Sequence, residues 1–401
     1  MNRKEKKKKN KKTILVHSGR DKKYAQGAVN IPPYRASTVL FESLAEYQSW
    51  DPEFNSFRYG RLGSPNSFAL EKAYSELSGA YRSIATSSGM SAINIAVTPF
   101  VNQGDHILVT EGVYEPAGYF FNNHLAPFGV EVNFFSPLIH EEIGSMIKSN
   151  TRVVYLESPS SITFELQDIE MLVSVVRQRS SELGINIIII FDNTWAGPLY
   201  FRPLEHDIDI EVQAATKYIV GHSDAMLGIV ACSKDTFRAV KGSSIFQGIS
   251  AGPDECYLGL RGMRTMAVRM EQQFQDALLI AEWLNKHEMI QSVLYPPSPF
   301  SEYYDHWKKL FSGGGSLMGI ILTEQYSEEA LARMLDQMEF FAMGHSYGGY
   351  ESLLIPSKLQ YFRQPGMESY TSTMLRLYVG LEDCDDLIQD LDKGLARLKQ
   401  S

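Results

Sequence analysis

Cysteine is scarce: Cys232, Cys256 and Cys384 are the three cysteines in 401 residues, and they stand far apart. That spacing excludes a disulfide framework and a thiolate metal site, and no metal centre is expected. It suits a reducing, cytoplasmic setting. No apolar run approaches the ~18 residues that a membrane-spanning helix needs. Internal repeats and long low-complexity linkers are missing too. So is a general excess of positive charge, because the formal net charge is -9. The first twelve residues, MNRKEKKKKNKK, hold eight Lys or Arg and one Glu, which leaves 30 basic against 46 acidic residues in the body. An acidic body excludes a general nucleic-acid binder. No apolar segment follows the basic head, so it does not read as a secretory signal. Residues 1–12 are expected to form a solvated, disordered tail. What the chain does have is length and 44% hydrophobic residues, enough for a large core and two domains.

Two stretches organise the rest. INIIIIFDNTW, residues 185–195, is a short apolar, β-branched run ending in Asp192, and it reads as a buried parallel strand. Ligands of open α/β sheets lie outside the carboxyl ends of the strands, which places Asp192 beside a ligand. Twenty-five residues later QAATKYIVGHSDAM, residues 213–226, sets Lys217 between Thr216 and Tyr218 and continues through Gly221, His222, Ser223 and Asp224. Alone, an Asp after a strand is an ordinary turn residue and a lysine an ordinary solvated charge. Together they suggest pyridoxal phosphate (PLP). The lysine would form the Schiff base, and the carboxylate would keep the pyridine nitrogen protonated so that the ring takes up electrons.

In chain order, residues 13–62 are turn-rich and contain Pro32 and Pro33, so they read as an extended arm that ends in the triplet Tyr59, Gly60, Arg61. A guanidinium such as that of Arg61 suits a phosphate. From Ser67 the spacing of Phe68, Leu70, Ala73 and Leu77 is helical. A strand at residues 83–86 runs into Ser87, Ser88 and Gly89, where a second helix opens. Free N–H groups at such a helix start bind phosphate, which makes Gly89 and Met90 a candidate cradle; the same pattern also makes an ordinary N-cap. The strand HILV leads to Tyr114, and RVVYLESPSSITFELQD reads as a strand ending in Glu157, Ser158 and Pro159. Beyond the lysine, LGIVACS reads as a strand and the region from Pro253 as a long helix, on which Arg261 and Arg264 are expected to make solvent or helix contacts. The C-terminal part offers the strands GSLMGIIL and TMLRLYVGL and the helices EEALARMLDQM and DDLIQDLDKGLARL.

ATKYIVGHSDAM, with FDNTWA upstream, resembles the PLP-lysine signature of the Cys/Met-metabolism enzymes, the cystathionine lyases and synthases and methionine γ-lyase. The likeness runs from about Ser18 to the C-terminus. It implies an α/β PLP-dependent transferase-like fold of the aspartate aminotransferase type. A PLP-binding domain over residues 63–261, with a mixed, mostly parallel sheet, would carry a smaller α+β domain over residues 262–401. The arm, residues 13–62, would contact a neighbouring subunit, where Tyr59 and Arg61 bind the cofactor phosphate, in a homotetramer built as a dimer of dimers. Within the chain, Lys217, Asp192, Gly89, Met90 and Thr216 would hold PLP. Tyr114 would stack on its ring and assist proton transfer. Arg376 and Ser346 would hold a small amino-acid substrate by its α-carboxylate, with Tyr347 beside them.

The resemblance also bears on the reaction. Ser160 and Ser161 stand where many γ-specific relatives have Thr-Asn-Pro, and SYGGYESL, with Tyr347 and Tyr350, is similar to the β-lyase branch. The implied activity is α,β-elimination of L-cystathionine to homocysteine, pyruvate and ammonia, in methionine biosynthesis, with cysteine desulfhydrase activity beside it. A γ-lyase or γ-synthase is the alternative on the same fold, and a non-catalytic PLP-fold binding protein the alternative of another class. Three positions depart from the enteric β-lyase pattern: Leu62 where a second arginine is usual, Tyr119 in place of an acid, and Tyr347 in place of a tryptophan. Losing a cation and an anion there weakens recognition of the far end of cystathionine.

Overall fold

The computed structural model describes residues 9–49, 51, 54–358 and 372–399. Seven strands form the large sheet: β1 Arg82–Thr86, β2 His106–Thr110, β3 Glu131–Phe135, β4 Thr151–Glu157, β5 Ile188–Asp192, β6 Ile210–Gln213 and β7 Gly228–Cys232. Their order is β1-β7-β6-β5-β4-β2-β3. The run from β6 to β3 is parallel, while β7 lies antiparallel to both β1 and β6. The sheet is therefore mixed and mostly parallel, as expected. β2, β5, β6 and β7 are buried along their whole length, which is why β5 reads as an unbroken apolar run rather than an alternating one. Apolar residues fill both faces: Leu108, Val154, Ile189 and Phe191 on one, Ile107, Val153, Ile190 and Val212 on the other. Between β4 and β2 the strand order reverses, and the loops after those strands open a crevice at their carboxyl ends.

Helices cover both faces. Pro65–Ser78 starts on a capping box, in which Ser64 accepts from Ser67 N–H and the Ser67 hydroxyl accepts from Ser64 N–H; Pro65 sits in the first turn and Gly79 closes the helix in the left-handed region. Gly89–Val97 starts on the same device, built from Ser88 and Ser91. The second sheet, antiparallel throughout in the order β10-β11-β9-β8, contains β8 Ile290–Leu294, β9 Leu317–Leu322, β10 Leu353–Ser357 and β11 Met374–Tyr378. The helix Glu328–Leu335 packs beside β10, and Cys384–Leu398 packs against that helix and against the long helix Pro253–Asn285.

One expected boundary needs correction, and a second falls within a helix. Residues 1–8 of the basic tail lie outside the described residues, but Lys11 and Lys12 are not tail: they begin the helix Lys11–His17. Ile14 and Leu15 bury their side chains, Lys12 Nζ meets Glu271 Oε2 at 2.6 Å, and Arg264 donates to Leu15 O at 2.5 Å. One turn of apolar side chains docked on the long helix thus outweighs the local charge. The proposed division at residue 262 falls inside that helix, Pro253–Asn285, which runs unbroken from the large domain to β8. Gly262 marks a close approach and not a hinge, since a Cβ there would lie 2.2 Å from Ile219 O.

Candidate active site

Strand ends place the candidate residues. Asp192 is the last residue of β5 and pairs in register with Glu157, the last of β4. Tyr114 follows β2 on a tight turn, opens the short helix Glu115–Tyr119 and is 44% exposed. β6 ends at Gln213 and the chain turns at once: Lys217 N–H donates to Ala214 O at 3.0 Å and Gly221 N–H to Lys217 O at 2.8 Å. The turn projects the lysine. Its Nζ donates to Ser346 Oγ at 2.7 Å and lies 4.9 Å from the centre of the Tyr347 ring. Ser346 itself has φ 141, a strained value for a residue with a side chain.

Burial and charge tune the groups. Lys217 is lowered to about 8 by burial and then by the positive charge of Arg376, against the pull of Asp192. Burial raises Asp192 above the ordinary carboxylate range, opposed by hydrogen bonds from Thr194 and Tyr155 and by the charge of Lys217. Thr194 N–H reaches Asp192 Oδ1 at 3.0 Å and Tyr155 reaches Oδ2 at 3.4 Å. Arg376, in the middle of β11, is lowered by burial, while Tyr347 and Tyr114 act the other way. An amine of lowered proton affinity, a buried carboxyl group and a guanidinium therefore act on one another across the carboxyl end of the large sheet. A cavity of about 870 Å³ opens beside Thr216 and Ser346, with Ser87, Asp224, Glu255 and His345 on its wall.

Gly89 and Met90 form the first turn of Gly89–Val97, where N–H groups are free to face an anion. A Cβ on Gly89 would come within 2.8 Å of Ala214 Cβ, so glycine is what lets the helix start pack against the lysine turn. Thr216 is committed locally: its hydroxyl donates to Leu227 O at 3.1 Å and accepts from Leu227 N–H at 2.9 Å. Tyr59 and Arg61 stand apart from the lysine. Arg61 donates to Ile245 O at 2.8 Å, its guanidinium lies 5.9 Å from the Tyr59 ring centre, and Tyr59 bridges to Thr38.

Several supporting residues have no motif to announce them. Arg269 donates to Tyr218 O and Gly262 O, both at 2.9 Å, and locks the turn after the lysine. Gln273 donates to Gly349 O at 2.7 Å and fixes the loop that carries Ser346. Both lie on the long helix, where their charge and polarity look solvated in sequence. Thr194 was legible in principle, since a Thr two residues after an Asp is a familiar local turn partner.

A sequence profile of the Cys/Met metabolism PLP-dependent enzymes matches residues 12–396. The chain is 38% identical over 391 residues to the cystathionine beta-lyase MetC of Escherichia coli (strain K12), covering 96% of this chain and 98% of that protein. It is 34% identical over 398 residues to the L-alanine/L-glutamate racemase of Wolbachia pipientis wMel, covering 96% and 97%. The crystal structure of metB from Corynebacterium glutamicum matches with a TM-score of 0.87 at 27% identity, covering 97% of this chain and 98% of that one. The fold is the PLP-dependent transferase-like fold expected from the sequence.

Proposed function

We propose that this chain, which belongs to the Cys/Met metabolism PLP-dependent enzymes, is a carbon–sulfur β-lyase acting on L-cystathionine and on shorter S-substituted cysteines. The observation that carries the reading is the placement of Lys217, its amine depressed to about 8, against Ser346 and within the field of Arg376. The residues present fit PLP. Asp192 is a buried carboxyl group at a strand end, suited to a protonated ring nitrogen, and the start of Gly89–Val97 offers helix N-terminal N–H groups suited to a phosphate. Lys217, Asp192, Tyr114, Gly89, Met90 and Thr216 hold the cofactor in this reading, with Tyr59 and Arg61 supplied by a second copy. When bound, PLP supplies an electron sink for the pair left at Cα when its proton departs.

The chain's own residues do the rest. Arg376 and Ser346 fix the substrate α-carboxylate, the guanidinium by two parallel hydrogen bonds, which sets the Cα–H bond toward Lys217. The Lys217 amine takes the Cα proton, a task suited to a lysine held near neutrality. The thiolate leaving Cβ is protonated from Lys217 or Tyr114. With one water consumed, cystathionine gives homocysteine, pyruvate and ammonia. Leu62, Tyr119 and Tyr347 offer no charge to the far amino acid of cystathionine, which is why shorter substrates belong in the reading.

The test is product identification with purified protein, PLP and L-cystathionine, and then L-cysteine. Pyruvate with homocysteine supports the proposal, and pyruvate from cysteine alone removes cystathionine. Formation of 2-oxobutyrate moves the enzyme to the γ branch, and a protein that gains no visible absorbance with PLP is a non-catalytic relative. Turnover retained by Lys217→Ala refutes the mechanism. The same reading assigns a cytoplasmic homotetramer built from dimers that exchange Tyr59 and Arg61, and sedimentation of the PLP-loaded protein tests that assembly.

A further inference from the structure

Glu157 takes no part in the scheme above, yet it lies in the middle of the site. It ends β4 directly opposite Asp192, and Tyr155, two residues earlier on the same strand, reaches Asp192 from the same face of the sheet. Glu157 Oε2 accepts from Tyr114 N–H at 2.8 Å. A second tie binds the same two loops, because Ser161 N–H donates to Gly112 O at 2.7 Å. The loop after β4 therefore grips the loop after β2 by its backbone, on both sides of Val113.

We propose that Glu157 is a positioning residue for the elimination described above: it fixes the Tyr114 turn at the carboxyl ends of β2 and β4 and keeps the Tyr114 hydroxyl a hydrogen-bond donor. The charged and titratable groups around the pair come from several elements. Asp192 lies on β5, Tyr155 on β4, Glu115 beside Tyr114, Arg376 on β11, Tyr347 on the loop before β10, and Lys217 on the turn after β6. Burial and then the charge of Asp192 hold Glu157 well above the ordinary carboxylate range. Tyr114 is pushed up by burial and then by Glu157, with Asp192 and Glu115 adding and Arg376 opposing. Carboxylates on two adjacent strands thus oppose a phenolate at Tyr114. Such a tyrosine gives a proton to a departing thiolate and does not take one from Cα, which leaves Lys217 as the base. This deepens the lyase reading and rests on it.

The test uses the PLP-loaded enzyme and three variants. Glu157→Gln keeps an oxygen to accept from Tyr114 N–H but removes the charge. Glu157→Asp keeps the charge on a shorter arm, and Glu157→Ala removes both. The phenolate of Tyr114 is followed by its ultraviolet absorbance as pH rises, with the Tyr114→Phe enzyme as the blank. The expected result is a midpoint lowered by about one pH unit in Glu157→Gln, a tenfold change in proton affinity, and restored toward wild type in Glu157→Asp. The alkaline limb of kcat/KM moves with it. An unchanged midpoint in Glu157→Gln overturns the proposal, since a purely structural anchor survives that substitution. Should Glu157→Ala fail to fold, the Gln and Asp pair decides the matter. The titration needs no turnover, so a failure of the lyase reading is seen separately, as absence of pyruvate from the wild-type enzyme.

Discussion

The proton on Lys217 should answer to Arg376 and Asp192 in opposite directions. In the PLP-free protein the amine sits at about 8, moved from 10.5 by burial first and by Arg376 second, with Asp192 opposing both. At pH 7.5 roughly a quarter of an amine at that value is neutral, against about one part in a thousand for an ordinary lysine, so PLP capture should be about two hundred times faster than on a solvated lysine. Arg376→Gln removes a repelling charge and should move the midpoint of capture rate against pH upward. Asp192→Asn removes the attracting charge and should move it downward. The assay is stopped-flow capture of PLP by the PLP-free protein from pH 6 to 10, with Lys217→Ala as the blank. Linkage gives a second check. The folded value lies below the unfolded one, so the unfolded chain binds more protons between about 8 and 10.5, and stability rises with pH across that window. The upper bound of the rise is about 3 kcal/mol. A wild-type midpoint near 10.5, or shifts of the same sign in the two variants, would refute the reasoning.

Other expectations follow from single contacts. Arg376→Lys should lower kcat/KM for an amino-acid substrate by about a hundredfold, because an ammonium cannot give two parallel bonds to a carboxylate; steady-state kinetics on cystathionine or cysteine check it. Gly348→Ala should raise KM at least tenfold, since at φ 85 a Cβ would come within 2.6 Å of the Lys217 carbonyl carbon and push the Ser346 loop away; a stability cost of about 1–3 kcal/mol is expected by urea unfolding. Glu211 is buried on β6 and raised to about 7, chiefly by burial, while bonds from Asn193 and Tyr74 oppose the rise. Its folded value exceeds its unfolded one, so its contribution is full below about 4.5 and is lost as pH rises toward 7. Glu211→Gln should flatten that fall, worth about 3 kcal/mol, in urea midpoints measured at pH 5 and pH 8.

The legible parts of this chain are those where one residue type carries one physical signal. β5 is five buried residues ending in an acid, and the turn after β6 sets a lysine among small polar residues, so both ends of the site were visible in two short stretches. The helix start at Ser88 was visible from its cap, whereas the first helix was read from its apolar spacing at Ser67, three residues after its cap at Ser64. β6 was not, because Glu211 and Gln213 are buried polar residues whose partners, Tyr74 and Asn193, come from elsewhere in the chain. β10 was hidden by Pro356, which an edge strand tolerates and a central one does not. The roles of Arg269 and Gln273 were hidden for a different reason. Their acceptors are main-chain carbonyls, which any sequence supplies.

That last point explains why the site is stiff where it must be. Lys217 has few ways to stay in place by itself, since its stem has four rotatable carbons and its head, among the described residues, donates to Ser346 and lies over the Tyr347 ring. Its backbone is held instead. The Arg269 guanidinium fixes the carbonyl of the next residue, and the Tyr218 hydroxyl accepts from Ser316 N–H at 2.9 Å, which joins the lysine turn to the second domain. On the other side Gly348 lets the Ser346 loop lie directly on the lysine backbone, and Gln273 pins that loop through Gly349. One helix, Pro253–Asn285, carries both Arg269 and Gln273, so the lysine turn and the loop facing it are referred to a single rigid element. A substitution that shortens Arg269 should therefore disturb substrate positioning as much as cofactor capture, although Arg269 touches neither.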